Sequence, residues 1–327
     1  MESKKDSKEV ASRRAKGEFV RGVSTLREFI HPDGKFPPEA DRYHLIVAYN
    51  CPWCHRVVLA RAILGLEAAV SMDVLFPIRS DTDDPKGAGL WRFVPSGEVG
   101  KVKLDLCTQN SIGEEKYVVD IYKRCGAKQT SVPILYDKKT KTIVNNESAE
   151  IVRMFGQWMG GLGRKGAPEL YPEDKIKDIN AANEWIYHEI NNGAYRAGFA
   201  KAQEPYEKAY DTYFKALEKL DKILANQKFV CGDKMTEADV RLFPTIFRHD
   251  AVYYVRMKLN KAFIFHYPNL WRWLSDMYNS PGVASASPLH HMKAGYFGRT
   301  GNRVIPKGPP GYPECFKSPV PPKFSKY

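Results

Sequence analysis

Apolar residues run almost without interruption through RYHLIVAY (42–49) and stop just before Cys51, the texture of a strand buried on both faces of a parallel sheet. Pro52 follows where a first helical residue needs no N–H, and VVLARAILGLE continues at helical spacing to Gly65 and Leu66. A second strand is predicted over 69–76. After a long loop, KYVVDIYKRC (116–125) sets Val118, Val119, Ile121, Tyr122 and Cys125 on one helical face. Residues 132–136, the turn Asp137-Lys138-Lys139-Thr140 and residues 142–144 predict a hairpin, and a helix follows from about Glu147 to Trp158. The order is βαβαββα.

From Tyr171 the pattern changes to long helical periodicity with no strand signal. Ile176, Ile179, Trp185, Ile186 and Ile190 form one face, ending near Asn191-Asn192-Gly193. Tyr206, Tyr210, Tyr213, Phe214, Leu217, Leu220 and Leu224 form the next, and such a tyrosine stripe reads first as core. Thr236-Glu237-Ala238-Asp239 is a capping box for a third helix, and 270–278 is a further one. The expected organisation is an extension over 1–41, an α/β domain over 42–160, an all-helical domain over 172–300 and a tail over 301–327. The stretch 302–327, with seven prolines, is expected to wrap a surface rather than pack a core.

A length of 327 residues with 43% hydrophobic positions is enough for two real cores. No run approaches a membrane span, and the start, MESKKDSKEVASRRAKGEF, reads as a disordered, soluble leader, neither secretion signal nor transit peptide. A cytoplasmic location is expected, with Cys51, Cys54, Cys107, Cys125, Cys231 and Cys315 as free thiols. The net charge of +12 comes from basic residues scattered among acids, which argues against a nucleic-acid surface and fits an anionic small ligand.

The chemistry concentrates in YNCPWCHR (49–56), which spells three incompatible things: a haem c attachment pattern, half of a zinc site, or a redox dithiol. Its place at the first strand-to-helix junction of a thioredoxin-like order favours the dithiol. A thiol at a helix N-terminus meets N–H groups and the positive end of the helix dipole, which stabilise thiolate. Zinc would need two more clustered ligands, and no second C-x-x-C or H-x3-H pair is present, so no metal is expected. The bland alternative, two small buried hydrophobes, stays open on the motif alone.

Four longer stretches carry a resemblance. FIHPDGKFPPEADRYHLIVAYNCPW (29–53), SVPILYDKKTKTIVNNESAEIVRMF (131–155), WIYHEINNGAYRAGFA (185–200) and TEADVRLFPTIFRHDAVYYVRMKLN (236–260) resemble the Xi class of glutathione transferases, the glutathionyl-hydroquinone reductases. The similarity spans roughly residues 27–300. It implies the glutathione transferase fold, a thioredoxin-like domain followed by a helical bundle. It also implies Cys51 as nucleophile, glutathione as co-substrate with no tightly bound cofactor, glutathionylated quinols as substrates, and a homodimer.

Placed on this sequence, the resemblance implies a cis-proline turn at Val132-Pro133 whose backbone pairs with the cysteinyl part of glutathione. Glu147 and Ser148 would take the γ-glutamyl amine and carboxylate, Trp91 would contact glutathione, and Tyr195, Tyr253 and Tyr296 would line the quinol site. Three positions depart from the family, which usually has Ala at Cys54, His at Gly295 and Cys at Leu259. The first offers a possible resolving thiol and the second puts the surroundings of Tyr296 in question. Two other functions fit the same fold: an Omega-like thiol transferase or dehydroascorbate reductase, which needs no tyrosine cluster, and a non-catalytic binding module, which needs no cysteine.

Overall fold

A computed structural model describes residues 4–299 and 303–321 of the chain. It divides into two compact units. One comprises Ser24–Pro172 and Asn279–Lys307; the other takes the chain up to Val23, Glu173–Tyr278 and the chain from Gly308 on.

From Lys4 on, the chain is not the disordered leader its composition suggests; residues 1–3 lie outside the described residues. A helix, α1 (Lys4–Ala15), leads to Gly17, which is buried at φ +82°; a Cβ there would lie 2.8 Å from Ala202 Cβ. Lys201 N–H donates to the Gly17 carbonyl at 2.9 Å. Further on, Glu28 N–H donates to Val144 O, and Ile30 and Phe36 are fully buried. The segment has too few apolar residues to form a core of its own, but single side chains suffice to fasten it to surfaces built elsewhere in the chain.

In the thioredoxin-like unit, β1 (Tyr43–Val47) is buried at every position, as its apolar run requires. The helix α2 (Pro52–Leu64) crosses over to β2 (Val70–Val74), which pairs parallel to β1 in the register Tyr43↔Val70. Pro52 is the first helical residue, and Gly65 closes the helix at φ +69°, its N–H reaching back to the carbonyls of Ala62 and Arg61. Nearly all of α2 is buried, including His55, whose Nε2 lies 3.0 Å from Ser287 Oγ. His55 is thus a packed, fully buried histidine.

The long loop then forms a two-residue ribbon, β3 (Glu98–Val99) with β4 (Val102–Lys103), before α3 (Val118–Arg124). The hairpin β5 (Ile134–Asp137) and β6 (Thr142–Asn145) completes the sheet in the order β2-β1-β5-β6, with β5 antiparallel to β1. Arg42 donates two hydrogen bonds of 2.8 Å to Asp137, a buried bidentate pair that ties the start of β1 to the end of β5. After β6 the chain enters α4 (Ser148–Met154) and a π turn over Phe155–Met159.

The helical unit starts with α5 (Ile176–Trp185). It does not stop at Asn191-Asn192-Gly193: a π turn (Ile186–Asn191) carries it into α6 (Asn192–Gly198). The long α7 (Gln203–Leu224) buries Tyr213, Phe214, Leu217, Leu220 and Leu224, and Tyr213 Oη lies 2.8 Å from His249 Nδ1, so the stripe is core. The capping box opens α8 (Glu237–Arg248). Its Asp239, fully buried, also accepts hydrogen bonds from Val230 N and Trp273 Nε1 at 2.9 Å each. A π turn (His249–Tyr253), the short α9 (Tyr254–Arg256) and α10 (Pro268–Tyr278) follow.

Two boundaries differ from the expected ones. The last helix, α11 (Leu289–Phe297), belongs to the thioredoxin-like unit, where Ala294 joins a small core of Phe76, Ile78, Val99, Leu104 and Cys107. Helical periodicity identifies a buried face but not the surface that buries it. The proline-rich tail also packs a core. Phe316 is 1% exposed among Phe247, Trp271 and Tyr278, and Trp271 Nε1 donates to Ser318 O at 3.1 Å. Proline spacing sets the backbone of such a segment, whereas its two aromatic plugs, Tyr312 and Phe316, decide where it sits; residues 300–302 and 322–327 of the expected tail region lie outside the described residues. No helix of the described residues is long and apolar enough to cross a membrane.

The tail also touches a buried acid. Asp250 accepts from Ile264 N at 2.8 Å and from Tyr312 Oη, yet burial outweighs both and pushes its carboxyl up to about 7 from 3.8. The folded chain therefore keeps a proton that the unfolded chain has released, so this group makes stability fall as pH rises between about 4 and 7. Asp250→Asn is expected to raise Tm at pH 8, by a free energy of up to about 4 kcal/mol, and to change it little at pH 4. Thermal denaturation at both pH values checks this; an equal effect at both would mean that the carboxyl is not protonated in the folded state.

Candidate active site

The end of β1 and the start of α2 place Cys51 at the helix N-cap, half-buried, with extended backbone (φ −77°, ψ 120°). The first turn of α2 carries no acidic side chain of its own, and the N-terminal end of a helix dipole favours a thiolate. Cys51 Sγ lies 3.8 Å from the carbonyl oxygen of Val132, and the Val132–Pro133 peptide is cis. The thiol and the cis-proline turn thus meet, although 81 residues separate them. Cys54 is on the same helix but fully buried.

Four of the other five thiols are held in their neutral form. Burial pushes Cys107 and Cys315 up to about 12 and Cys231 up to about 11, and it raises Cys125 as well. Cys125 ends α3 and is half-buried.

Glu147 is the N-cap of α4. Its carboxylate accepts from Ala149 N at 3.2 Å and from Ser24 Oγ at 3.1 Å, and Ser148 is buried beside it. The capping use of Glu147 is thus realised in the structure. Trp91 is 4% exposed, its indole N–H has no hydrogen-bond partner among the described residues, and the Arg79 guanidinium lies 4.5 Å above its ring. A buried donor of this kind is a natural point for a ligand acceptor.

Polar residues with no motif signature of their own hold this site together. Asn146 Nδ2 donates to Tyr122 Oη (3.1 Å), Gln129 Oε1 (2.9 Å) and Ser131 Oγ (3.3 Å), and Tyr122 Oη donates to Ser131 O (2.9 Å). This buried cluster ties α3 and the approach to the cis-proline turn to the residue just before Glu147. An Asn-Asn pair before a helix start is the one local signal of it, and that pair reads equally well as a turn.

Two of the three tyrosines lie together in the helical unit. Tyr195, on α6, is half-buried under the Arg21 guanidinium at 4.6 Å, and its ring lies 6.4 Å from that of Tyr253, which is fully buried. Tyr296 is on α11, in the thioredoxin-like unit. The glycine before it has a local cause: a Cβ at Gly295 would lie 2.4 Å from the Asn50 side chain, which is buried and donates to Pro77 O at 3.1 Å. Asn50 fills the space that any side chain at 295 would need. Leu259 is a buried core residue, and nothing in its surroundings explains the departure there.

Two family models match the chain: "Glutathione S-transferase, N-terminal domain" over residues 50–158 and "Glutathione S-transferase, C-terminal domain" over residues 203–276. Glutathionyl-hydroquinone reductase YqjG of Escherichia coli K12 is 36% identical over 303 residues, covering 89% of this chain and 88% of that protein. The glutathione-bound structure of YqjG superimposes with a TM-score of 0.79, 35% identity and coverage of 90% of this chain and 96% of that one. The glutathione transferase Xi from Phanerochaete chrysosporium gives a TM-score of 0.80 at 36% identity, covering 89% of this chain and 97% of that one. With similarity of this extent running through the sheet, the cysteine turn and the helices alike, the chain belongs to the glutathione transferases, in the Xi class of glutathionyl-hydroquinone reductases.

Proposed function

We propose that the protein removes glutathione from glutathionyl-hydroquinones, giving the hydroquinone and glutathione disulfide. The observation that carries this reading is the half-buried Cys51 sulfur at the start of α2, 3.8 Å from the Val132 carbonyl of the cis-proline turn. In this reading the Val132 backbone pairs with the cysteinyl part of glutathione. Ser148 and the start of α4 take the γ-glutamyl carboxylate, Glu147 its amine, and the Trp91 indole N–H a further acceptor.

The substrate joins sulfur to an aromatic carbon, a bond that a thiolate does not break directly. When the ring shifts to its keto tautomer, sulfur stands next to a carbonyl. Cys51 thiolate then attacks that sulfur, the carbon–sulfur bond breaks, and its electron pair leaves on the ring as an enolate. Protonation gives the hydroquinone and leaves Cys51 in a mixed disulfide with glutathione. A second glutathione thiolate attacks the glutathionyl sulfur, releases glutathione disulfide and restores Cys51. Donors are needed where negative charge grows on the ring oxygen, and the phenols of Tyr195, Tyr253 and Tyr296 are assigned to that task. A homodimer in the cytoplasm is the proposed setting; six free cysteines fit a reducing compartment.

The direct test is mass spectrometry of the products from a glutathionyl-hydroquinone and glutathione. Hydroquinone and glutathione disulfide in equal amounts are expected; an intact adduct, with dehydroascorbate reduced by glutathione in a parallel assay, would favour the Omega-like activity instead. Iodoacetamide near neutral pH is expected to label Cys51 first, because the other thiols are buried or held neutral. Peptide mapping that found Cys125 or Cys231 labelled first would remove the nucleophile.

Tyr195→Phe and Tyr296→Phe are each expected to slow reduction of the adduct by about 10²-fold while leaving glutathione affinity nearly unchanged. Steady-state rates beside a glutathione titration separate the two effects, and unchanged turnover in both would return these rings to a packing role.

Cys54→Ala is expected to keep most activity and Cys51→Ala to abolish it. Cys54 lies one helical turn on and could attack the mixed disulfide, but it is fully buried, and bound glutathione would shield the sulfur from that side. Intact mass after one turnover, with limiting adduct and no added glutathione, decides: a lasting gain of one glutathionyl group supports external resolution. Loss of two hydrogens with release of glutathione would make Cys54 the resolving thiol.

A further inference from the structure

Away from the thiol, three potential ligands from distant parts of the thioredoxin-like unit converge. Asp105 follows the ribbon strand β4, and His290 and His291 stand in the first turn of α11; one ligand atom from each lies within 4.8 Å of the others. Asp105 and His290 are exposed. His291 is 0% exposed, and neither of its ring nitrogens has a hydrogen-bond partner among the described residues.

That last fact needs a cause. A buried imidazole with two unanswered nitrogens is costly, and buried polar groups in folded proteins are almost always satisfied. The ring meets Tyr49 edge-on, with centroids 5.4 Å apart, which accounts for its packing but satisfies no nitrogen.

We propose that Asp105, His290 and His291 bind a zinc-class divalent transition-metal ion, which clamps the loop after β4 to the start of α11. Two neutral imidazoles and one carboxylate are the donors such ions prefer, whereas calcium and magnesium take oxygen throughout. Ligand bonds of about 2.0–2.2 Å bring the donor atoms somewhat closer than they now stand, and the exposed side chains of Asp105 and His290 have the freedom to close in. The ion takes no part in the thiol chemistry. Its effect is on α11, the helix that carries Tyr296, by pinning its first turn.

The test uses the full chain with Cys51→Ser and Cys54→Ser, so that these thiols do not compete for metal. Titration with Zn2+ against a chromophoric chelator is expected to show one equivalent bound. Titration with Co2+ is expected to give visible ligand-field bands without a sulfur charge-transfer band. Asp105→Asn and His290→Ala, both at exposed positions, should each weaken binding by about tenfold or more without altering the circular dichroism of the metal-free chain. Unchanged affinity in both variants, no stoichiometric binding in the parent, or a thiolate band from another cysteine would each overturn the proposal.

Discussion

The parallel pairing of β1 with β2 is the constraint on which the rest depends. Parallel neighbours cannot be joined by a hairpin, so the chain must cross over, and α2 is that crossover. The helix therefore begins where β1 ends, and the residue between them faces the N-terminal end of the helix dipole. Cys51 occupies that position. On the other side of β1, the antiparallel strand β5 begins one residue after cis-Pro133, at the same end of the sheet, so the Val132 carbonyl arrives beside the sulfur. One choice of strand pairing brings thiol and backbone together.

The six thiols differ in where each is held. The cysteines at 107, 231 and 315 lie in apolar surroundings that favour the neutral thiol, and Cys125 sits at a helix C-terminus, where the dipole has the opposite sign. The fold thus raises four of the thiols, while Cys51 stands at a helix N-terminus, a position that favours thiolate.

Two parts of the chain that look like appendages by composition belong to the packed structure. The segment before β1 supplies Phe19 and Arg21 against Tyr195 and buries Ile30 and Phe36, and the tail sets Phe316 among three aromatic side chains. In both, a few large side chains fill space prepared by other elements. Average polarity over a window cannot register such single anchors, because the decisive contacts are with residues up to hundreds of positions away.

What the sequence by itself determined is local: the buried strand, the proline-started helix, the hairpin, the helical faces and the capping box at Thr236 each follow from periods and end signals that short stretches contain. The cysteine's place at a strand-to-helix junction was legible for the same reason, and the long motifs around it were enough to recognise the family. Only the tertiary structure decided which unit buries α11, why position 295 must be glycine beside Asn50, how Asn146 braces the cis-proline turn, and that Asp105 meets two histidines far along the chain. Those outcomes depend on which surfaces meet across large sequence separations, and periodicity reports that a face is buried without naming what lies against it.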